Sequence, residues 1–150
     1  MAPQNVELVQ HSYLLLEELR EGDPGTLERA FRETFDEGVE VRIPDAYPEG
    51  AQIFRGRAGL MRWVESTREV WDEWRFERER FRDAGDQVLV LVRVVARGGS
   101  SGVSLDRRTA HVWTVRDGRV VRCEVYLNRS AALDAMGAWE ETPDGLRNSG

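Results

Sequence analysis

A β-hairpin predicted over residues 107–127 limits the fold of this chain more than any other segment does. An Asp-Gly turn at 117–118 separates two alternating segments, and glycine accepts the positive φ that a tight hairpin turn requires. Because side chains alternate along a strand, Thr109, His111 and Trp113 share one face. That face carries an imidazole between a hydroxyl and an indole, among apolar neighbours. If it lines a cavity, His111 is the polar group inside.

The composition is that of a single globular domain. Hydrophobic residues make up 41% of the chain and charged residues 32%, as in ordinary globular proteins. At 150 residues the chain is long enough to bury about 70% of its unfolded surface. We predict one domain over residues 1–137 and a polar tail over 138–150. No apolar run approaches the ~20 residues that span a bilayer, and no signal-peptide pattern opens the sequence. We therefore predict a cytoplasmic protein that does not bind membranes.

Charge and residue types argue against several classes of function. The net charge of −6 is wrong for a nucleic-acid-binding surface, which needs a concentrated positive patch. Two histidines and one cysteine are too few for a structural zinc site. All 21 basic residues are arginine, so no lysine can form a Schiff base. The lone Cys123 excludes an internal disulfide. We predict no cofactor and no metal.

Hydrophobic periodicity predicts three helices in the first half of the chain. Apolar residues at three- and four-residue steps indicate an amphipathic helix from about Asn5 to Glu21, with Asn5 as the N-cap. A second helix starts after the break at Gly22-Asp23-Pro24, because proline suits the first helical turn. A strand at Val39–Ile43 and a loop at Pro44–Gln52 come next, and a third helix starts at Gly56.

Strands dominate the second half of the chain. Four are predicted, together with a short final helix: Trp74–Arg82, Gln87–Arg97, Leu105–Val115 and Arg119–Leu127, then the helix Ser130–Met136. Helices followed by consecutive strands predict an α+β domain, with helices on one face of a curved antiparallel sheet.

The sequence leaves the direction of the Arg78 side chain open. Strict alternation from Trp74 and Phe76 would point Arg78 inward, but Phe81 has the opposite parity. Either a bulge interrupts the strand or one of these assignments is wrong. We favour the outward direction.

Several short sequence motifs, in this order, resemble those of one known family. They are Gly22-Asp23, 54–60 (FRGRAGL), 83–86 (DAGD), 110–113 (AHVW) and 117–126 (DGRVVRCEVY). With the element order, they resemble SnoaL-like proteins of the nuclear transport factor 2-like superfamily, a group that includes polyketide cyclases and ketosteroid-isomerase relatives. The resemblance covers about residues 6–135. It implies a cone-shaped curved antiparallel sheet plugged by three N-terminal helices, an α+β roll of the cystatin-like kind.

The resemblance implies an apolar pocket inside the cone and a second copy outside it. The residues that would line the pocket come from the strands, from aromatic side chains suited to stacking on a flat ligand, and from the first helix. They are Tyr13, Leu15, Phe54, Trp63, Thr109, Trp113, Cys123, Val125 and Leu127. The opposite face of the sheet holds Arg93, Arg122, Glu124 and Tyr126. In this superfamily that face commonly packs on a second copy, so a homodimer is expected.

Three departures argue against steroid isomerisation. The family's base, a carboxylate just before a proline, is replaced by Ile43. The tyrosine position on the first helix holds Leu15, and the acid on the sheet is replaced by His111. Asp45, just past Ile43-Pro44, is a candidate replacement for the lost carboxylate, although an aspartate after proline is more often a turn residue.

Two functions involve the pocket, and a third possibility is a purely structural partner module that acts through the outer face of the sheet and has a collapsed pocket. The first is a cofactor-independent cyclase or isomerase acting on a small hydrophobic ring compound. His111 would serve as acid or base, because an imidazole titrates near neutrality, and Asp45 would assist. The second is a non-catalytic, dimeric small-molecule-binding or accessory protein. A plainer interpretation of His111 also stands: a core histidine bonded to Thr109 or to a backbone carbonyl.

Overall fold

Helices dominate the first half of the chain and strands the second, as the periodicity predicts. The computed structural model describes residues 2–22, 24–44, 51–98 and 102–136. The elements are α1 (Ala2–Glu21), a 3-10 turn (Pro24–Leu27), α2 (Glu28–Thr34), β1 (Phe35–Ile43), β2 (Gln52–Arg55), α3 (Gly56–Val70), β3 (Glu73–Ala84), β4 (Gln87–Arg97), β5 (Ser104–Arg116), β6 (Arg119–Tyr126) and α4 (Arg129–Met136). Asp23, Asp45 and the predicted tail lie outside the described residues.

Some local predictions differ from the structure at the edges of elements. The first helix begins at Ala2, so Asn5 lies inside it, and its assignment as the N-cap is wrong. The Asn5 amide instead donates to the carbonyl of Gly85 (2.8 Å) and ties the helix to the β3–β4 turn. The short strand β2 was not predicted. Its four residues carry too little alternation to separate a strand from a loop.

The six strands form one sheet in the order β2-β1-β6-β5-β4-β3. The predicted hairpin is the β5–β6 pair, and Asp117 and Gly118 both have positive φ (54° and 78°), as a type I′ turn requires. Every pair is antiparallel except one. Strand β1 lies parallel to β6, with Val41 opposite Cys123, so the sheet is mixed rather than wholly antiparallel. All the elements between β1 and β6 form the long crossover that a parallel pair needs.

The two faces of the sheet pack against different helices. The first three helices cover the inner face, where Val88, Val90 and Val92 join the main core. The outer face carries a smaller cluster in which Ala132 of α4 packs on Leu89, Ala110 and Val112. In the described part of the chain, no helix combines the length and apolar character needed to cross a membrane.

Candidate functional site

A cavity of about 300 Å³ opens between α3 and the inner face of the sheet. Aromatic side chains form much of its wall: Trp63 from α3, Trp71 just after it, and Trp74 and Phe76 from β3. Strand β5 contributes Thr109 and His111, as their shared face predicts. An aromatic wall with a few polar groups is typical of sites that bind small molecules.

His111 belongs to a buried hydrogen-bonded chain of three side chains. The Tyr13 hydroxyl lies 2.7 Å from Nδ1 of His111, and the indole Nε1 of Trp113 donates to the same hydroxyl at 2.9 Å. Tyr13, Trp113 and His111 are 0%, 1% and 2% exposed. Strand β5 places the indole and the imidazole two residues apart on one face, and α1 supplies the tyrosine between them.

The donors and acceptors in this chain determine the histidine tautomer. An indole can only donate, so the Tyr13 oxygen accepts from Trp113 and its own proton needs another acceptor. Nδ1 of His111 is that acceptor. The neutral ring therefore carries its proton on Nε2, and the ring lines the cavity. His111 thus presents a hydrogen-bond donor whose orientation is fixed from behind.

Burial keeps both partners uncharged. Desolvation lowers the pKa of His111 to about 3 and raises the pKa of Tyr13 well above its usual value. The imidazole is therefore neutral at pH 7, and its basic nitrogen is already occupied by the tyrosine proton. In this arrangement it can donate a hydrogen bond to a ligand oxygen.

Two further polar groups belong to residues that line the cavity. Within the described residues, Oγ1 of Thr109 and Nε1 of Trp74 are buried and have no hydrogen-bond partner. A buried donor left unpaired costs about 1–3 kcal/mol.

Comparison with known proteins identifies the family. The model of the SnoaL-like domain matches residues 14–123. The chain belongs to the SnoaL-like domain family. No curated protein matches the SnoaL-like chain in sequence.

Solved structures share the fold of this SnoaL-like chain at low sequence identity. TerC, co-crystallised with polyporic acid, is 24% identical with a TM-score of 0.64, and the match covers 87% of this chain and 96% of TerC. An NTF2-like protein from Burkholderia xenovorans LB400 is 24% identical (TM-score 0.67; 84% and 90% covered). A proposed SnoaL-like polyketide cyclase from Jannaschia sp. CCS1 is 21% identical (TM-score 0.67; 92% and 94% covered). The predicted α+β, nuclear transport factor 2-like fold is confirmed.

The SnoaL-like chain brings together some of the predicted pocket residues and separates others. His111, Thr109, Trp63 and Val125 line the cavity. The other six, namely Tyr13, Leu15, Phe54, Trp113, Cys123 and Leu127, are not among its described lining residues. Tyr13 and Trp113 stand behind His111, while Leu15 and Cys123 are packed in the core. Burial also raises the pKa of the Cys123 thiol, which keeps it protonated.

Arg78 lies on the helix side of the sheet, so the outward direction favoured from the sequence is wrong. Its guanidinium bonds Glu17 of α1 at 3.0 Å and lies 5.3 Å from the centre of the Tyr13 ring. A register shift between Arg78 and Arg80 gives the bulge that the parity conflict requires. The bulge lets Arg78 and Phe81 both lie on the inner side.

The predicted site omitted several residues that line the SnoaL-like cavity, among them Trp74, Phe76 and Arg107. A signal existed for these three. Trp74 and Phe76 share one strand face, and Arg107 has the same parity as Thr109 and His111 on β5. Ile43 also lines the cavity. No aspartate or glutamate appears among the described lining residues, and Asp45 lies outside the part that the structure describes.

Proposed function

We propose that the cavity binds a small, mostly apolar ring compound, and that Nε2 of His111 donates a hydrogen bond to an oxygen of this ligand. The observation that carries the proposal is the bond between the Tyr13 hydroxyl and Nδ1 of His111. This bond fixes the proton on Nε2, on a ring that lines the cavity. A site with its donor already oriented loses little freedom when a ligand binds.

The cavity wall supports a flat ligand. Three tryptophans and a phenylalanine line a space of about 300 Å³, which is the lower end of the range for small-molecule sites. TerC, with the same fold, was crystallised with polyporic acid, which supports a ring compound as the ligand class here.

Catalysis is the second candidate, as a cofactor-independent cyclase or isomerase. A donor at Nε2 would stabilise negative charge that develops on a carbonyl oxygen, an oxyanion-type role. Proton abstraction by His111 would need the other tautomer and would break the bond to Tyr13. A separate base is therefore required. Asp45 remains the predicted base, and it lies outside the described residues.

The binding proposal is tested with two histidine variants and two matched ligands. In His111→Asn the amide oxygen can replace Nδ1 as acceptor for Tyr13, but the donor at the Nε2 position is lost. In His111→Gln the amide nitrogen can replace Nε2 as donor. Calorimetry with 2-acetonaphthone should show binding to the wild type and roughly tenfold weaker binding to His111→Asn, with a smaller loss for His111→Gln.

The control ligand is 2-ethylnaphthalene, which has a similar shape and no oxygen. It should bind the wild type and His111→Asn equally. Failure of the wild type to bind either compound would contradict the proposal. If both compounds lost affinity alike, the role of Nε2 as donor would be wrong.

A further inference from the structure

The cavity runs along strand β5, from the buried His111 to the start of the strand. Every second residue from Leu105 to His111 lines it. An antiparallel strand rises about 3.4 Å per residue, so these positions span roughly 20 Å of strand. A compound of two fused rings is shorter than this. A ring compound that bonds His111 therefore leaves the outer part of the cavity unfilled.

Exposure to water distinguishes the two ends of the cavity. Thr109 and His111, at the inner end, are 3% and 2% exposed. The exposed lining residues come from β2, from the end of α3 and from the chain around the start of β5. They are Gln52, Val70, Val103, Ser104 and Arg107. These residues form the mouth of the cavity, where a ligand enters from water.

Two exposed valines belong to this mouth. Val70 is 57% exposed and Val103 is 54% exposed. In the described part of the chain, the other large hydrophobic side chains with similar exposure are Leu14 and Ile53, and neither lines the cavity. Exposed apolar residues that are scattered singly need no explanation. These two valines differ because they share the wall of one cavity.

Backbone hydrogen bonds hold the two valines at the mouth. The amide of Asp72, two residues after Val70, donates to the carbonyl of Arg97 at 2.8 Å. The amide of Gly98 donates to the carbonyl of Val103 at 2.8 Å. These bonds fix the end of α3 beside the connection from β4 to β5. Both valines are therefore positioned by the backbone before a ligand binds.

We propose that the ligand carries an aliphatic chain on the side of the ring opposite its oxygen, and that this chain leaves the cavity along Val70 and Val103. The inference rests on the proposed binding function and adds the chain to the ligand class. Because the oxygen lies at His111, the ring enters first and the chain follows. Contact between the chain and the valines removes apolar surface from water, which favours binding. A ligand is favoured over a separate partner because both valines belong to the cavity wall itself.

The test uses 4′-ethylacetophenone and 4′-hexylacetophenone, which share the ketone and the ring and differ in the length of the chain. Calorimetry compares their affinities for the wild type, for Val70→Ser/Val103→Ser and for Leu14→Ser/Ile53→Ser. The last variant is the matched control, because it removes two exposed apolar side chains that do not line the cavity. The wild type should bind the hexyl compound roughly tenfold more tightly, less than full burial of the added methylene groups would give. The valine variant should reduce this ratio to about threefold, and the control should keep the wild-type ratio.

The direction of the ligand is tested with His111→Asn. This variant should weaken the binding of both compounds by the same factor, because both place the ketone at the inner end of the cavity. If His111→Asn left the affinity for the hexyl compound unchanged, the chain would enter first and the inference would be overturned.

The ethyl compound separates failure of the inference from failure of the proposed function. If it binds the wild type and the longer chain adds no affinity, the inference is overturned and the proposed binding function stands. An equal gain from the chain in the wild type and both double variants would also overturn the inference, and would leave the exposed valines to a macromolecular partner. If neither compound binds the wild type, the proposed function itself fails.

Discussion

The Tyr13 hydroxyl joins two side chains of β5 to the first helix, and this makes it a sensitive single atom. Tyr13→Phe would remove the acceptor of the Trp113 indole and the donor to His111, both of which are buried. Each buried polar group left unpaired costs about 1–3 kcal/mol. We expect the free energy of unfolding to fall by about 2–4 kcal/mol, measured by urea denaturation.

Tyr126→Phe is the matched control for this substitution. The Tyr126 hydroxyl is half-buried and bonds Glu124 at 3.1 Å, so water can replace that partner. Its loss should cost under about 1 kcal/mol. Equal costs for the two variants would contradict the role given to the Tyr13 chain.

The buried histidine also predicts how stability depends on pH. Burial lowers the pKa of His111 to about 3 in the folded protein, whereas an unfolded histidine titrates near 6.5. Between about pH 6.5 and 3 the unfolded state therefore binds an extra proton, and stability falls as the pH falls, by up to about 1.4 kcal/mol per unit. Above about pH 6.5 the histidine is neutral in both the folded and the unfolded state, so it no longer makes stability depend on pH.

His111→Asn removes this titration and keeps the acidic residues, so the difference between the two proteins isolates the imidazole. Urea unfolding from pH 7.5 to 4.5 should give a flatter stability curve for His111→Asn than for the wild type. A lower absolute stability of the variant does not affect this comparison, because only the slope is used. Parallel curves would show that His111 does not titrate as a buried group.

At the level of elements, Gly59 fixes how closely α3 approaches β2. A Cβ at this position would lie 2.9 Å from the backbone carbonyl carbon of Phe54, closer than real contacts allow. Alanine normally stabilises a helix by about 1 kcal/mol relative to glycine. We expect the opposite for Gly59→Ala, a loss of about 1–3 kcal/mol from the forced shift of helix and strand.

Ala58→Gly tests the same helix at an exposed position. It should cost about 1 kcal/mol through helix propensity alone. Thermal unfolding of the two variants gives the comparison. A Gly59→Ala protein as stable as the wild type would show that α3 does not press on the β2 backbone.

The elements that the sequence predicts well are those whose signal is local. Strand β4 begins and ends at the predicted residues, Gln87 and Arg97, because a β-branched run between turn residues leaves one interpretation. The parallel pairing of β1 with β6 joins segments that are distant in sequence, and no local sequence pattern predicts it. The direction of Arg78 depends on a bulge. The sequence showed that Arg78 and Phe81 conflict under strict alternation, but it did not show where the bulge lies.

For the whole molecule, the sequence predicts which residues line the cavity better than it predicts the hydrogen bonds in the protein interior. Alternation was enough to place Thr109 and His111 at the cavity. The partner of His111 could not be predicted, because the contact between Tyr13 and His111 spans 98 positions of sequence. The plain interpretation named Thr109 or a backbone carbonyl as the partner, and the partner is the tyrosine. The chemistry of the site depends on this contact, since it sets the tautomer.

The outer face of the sheet bears on the assembly of the molecule. Arg93, Arg122, Glu124 and Tyr126, predicted to meet a second copy, are each partly exposed. Helix α4 covers Leu89, Ala110 and Val112 on the same face, so the surface left for a partner is mostly polar. Association through a polar interface depends more on charge than association through an apolar one, and salt weakens it.

We propose a homodimer through this outer face, held by a salt-sensitive interface. Sedimentation of the wild type should give twice 17.2 kDa at low salt and shift toward the monomer as salt increases. Glu124→Arg should favour the monomer, because reversing a charge within a polar interface opposes like charges across it. Glu33→Arg makes the same charge change on α2, remote from that face, and should remain dimeric. A mass of 17.2 kDa under all conditions, or the same behaviour in both variants, would rule out a dimer of this kind.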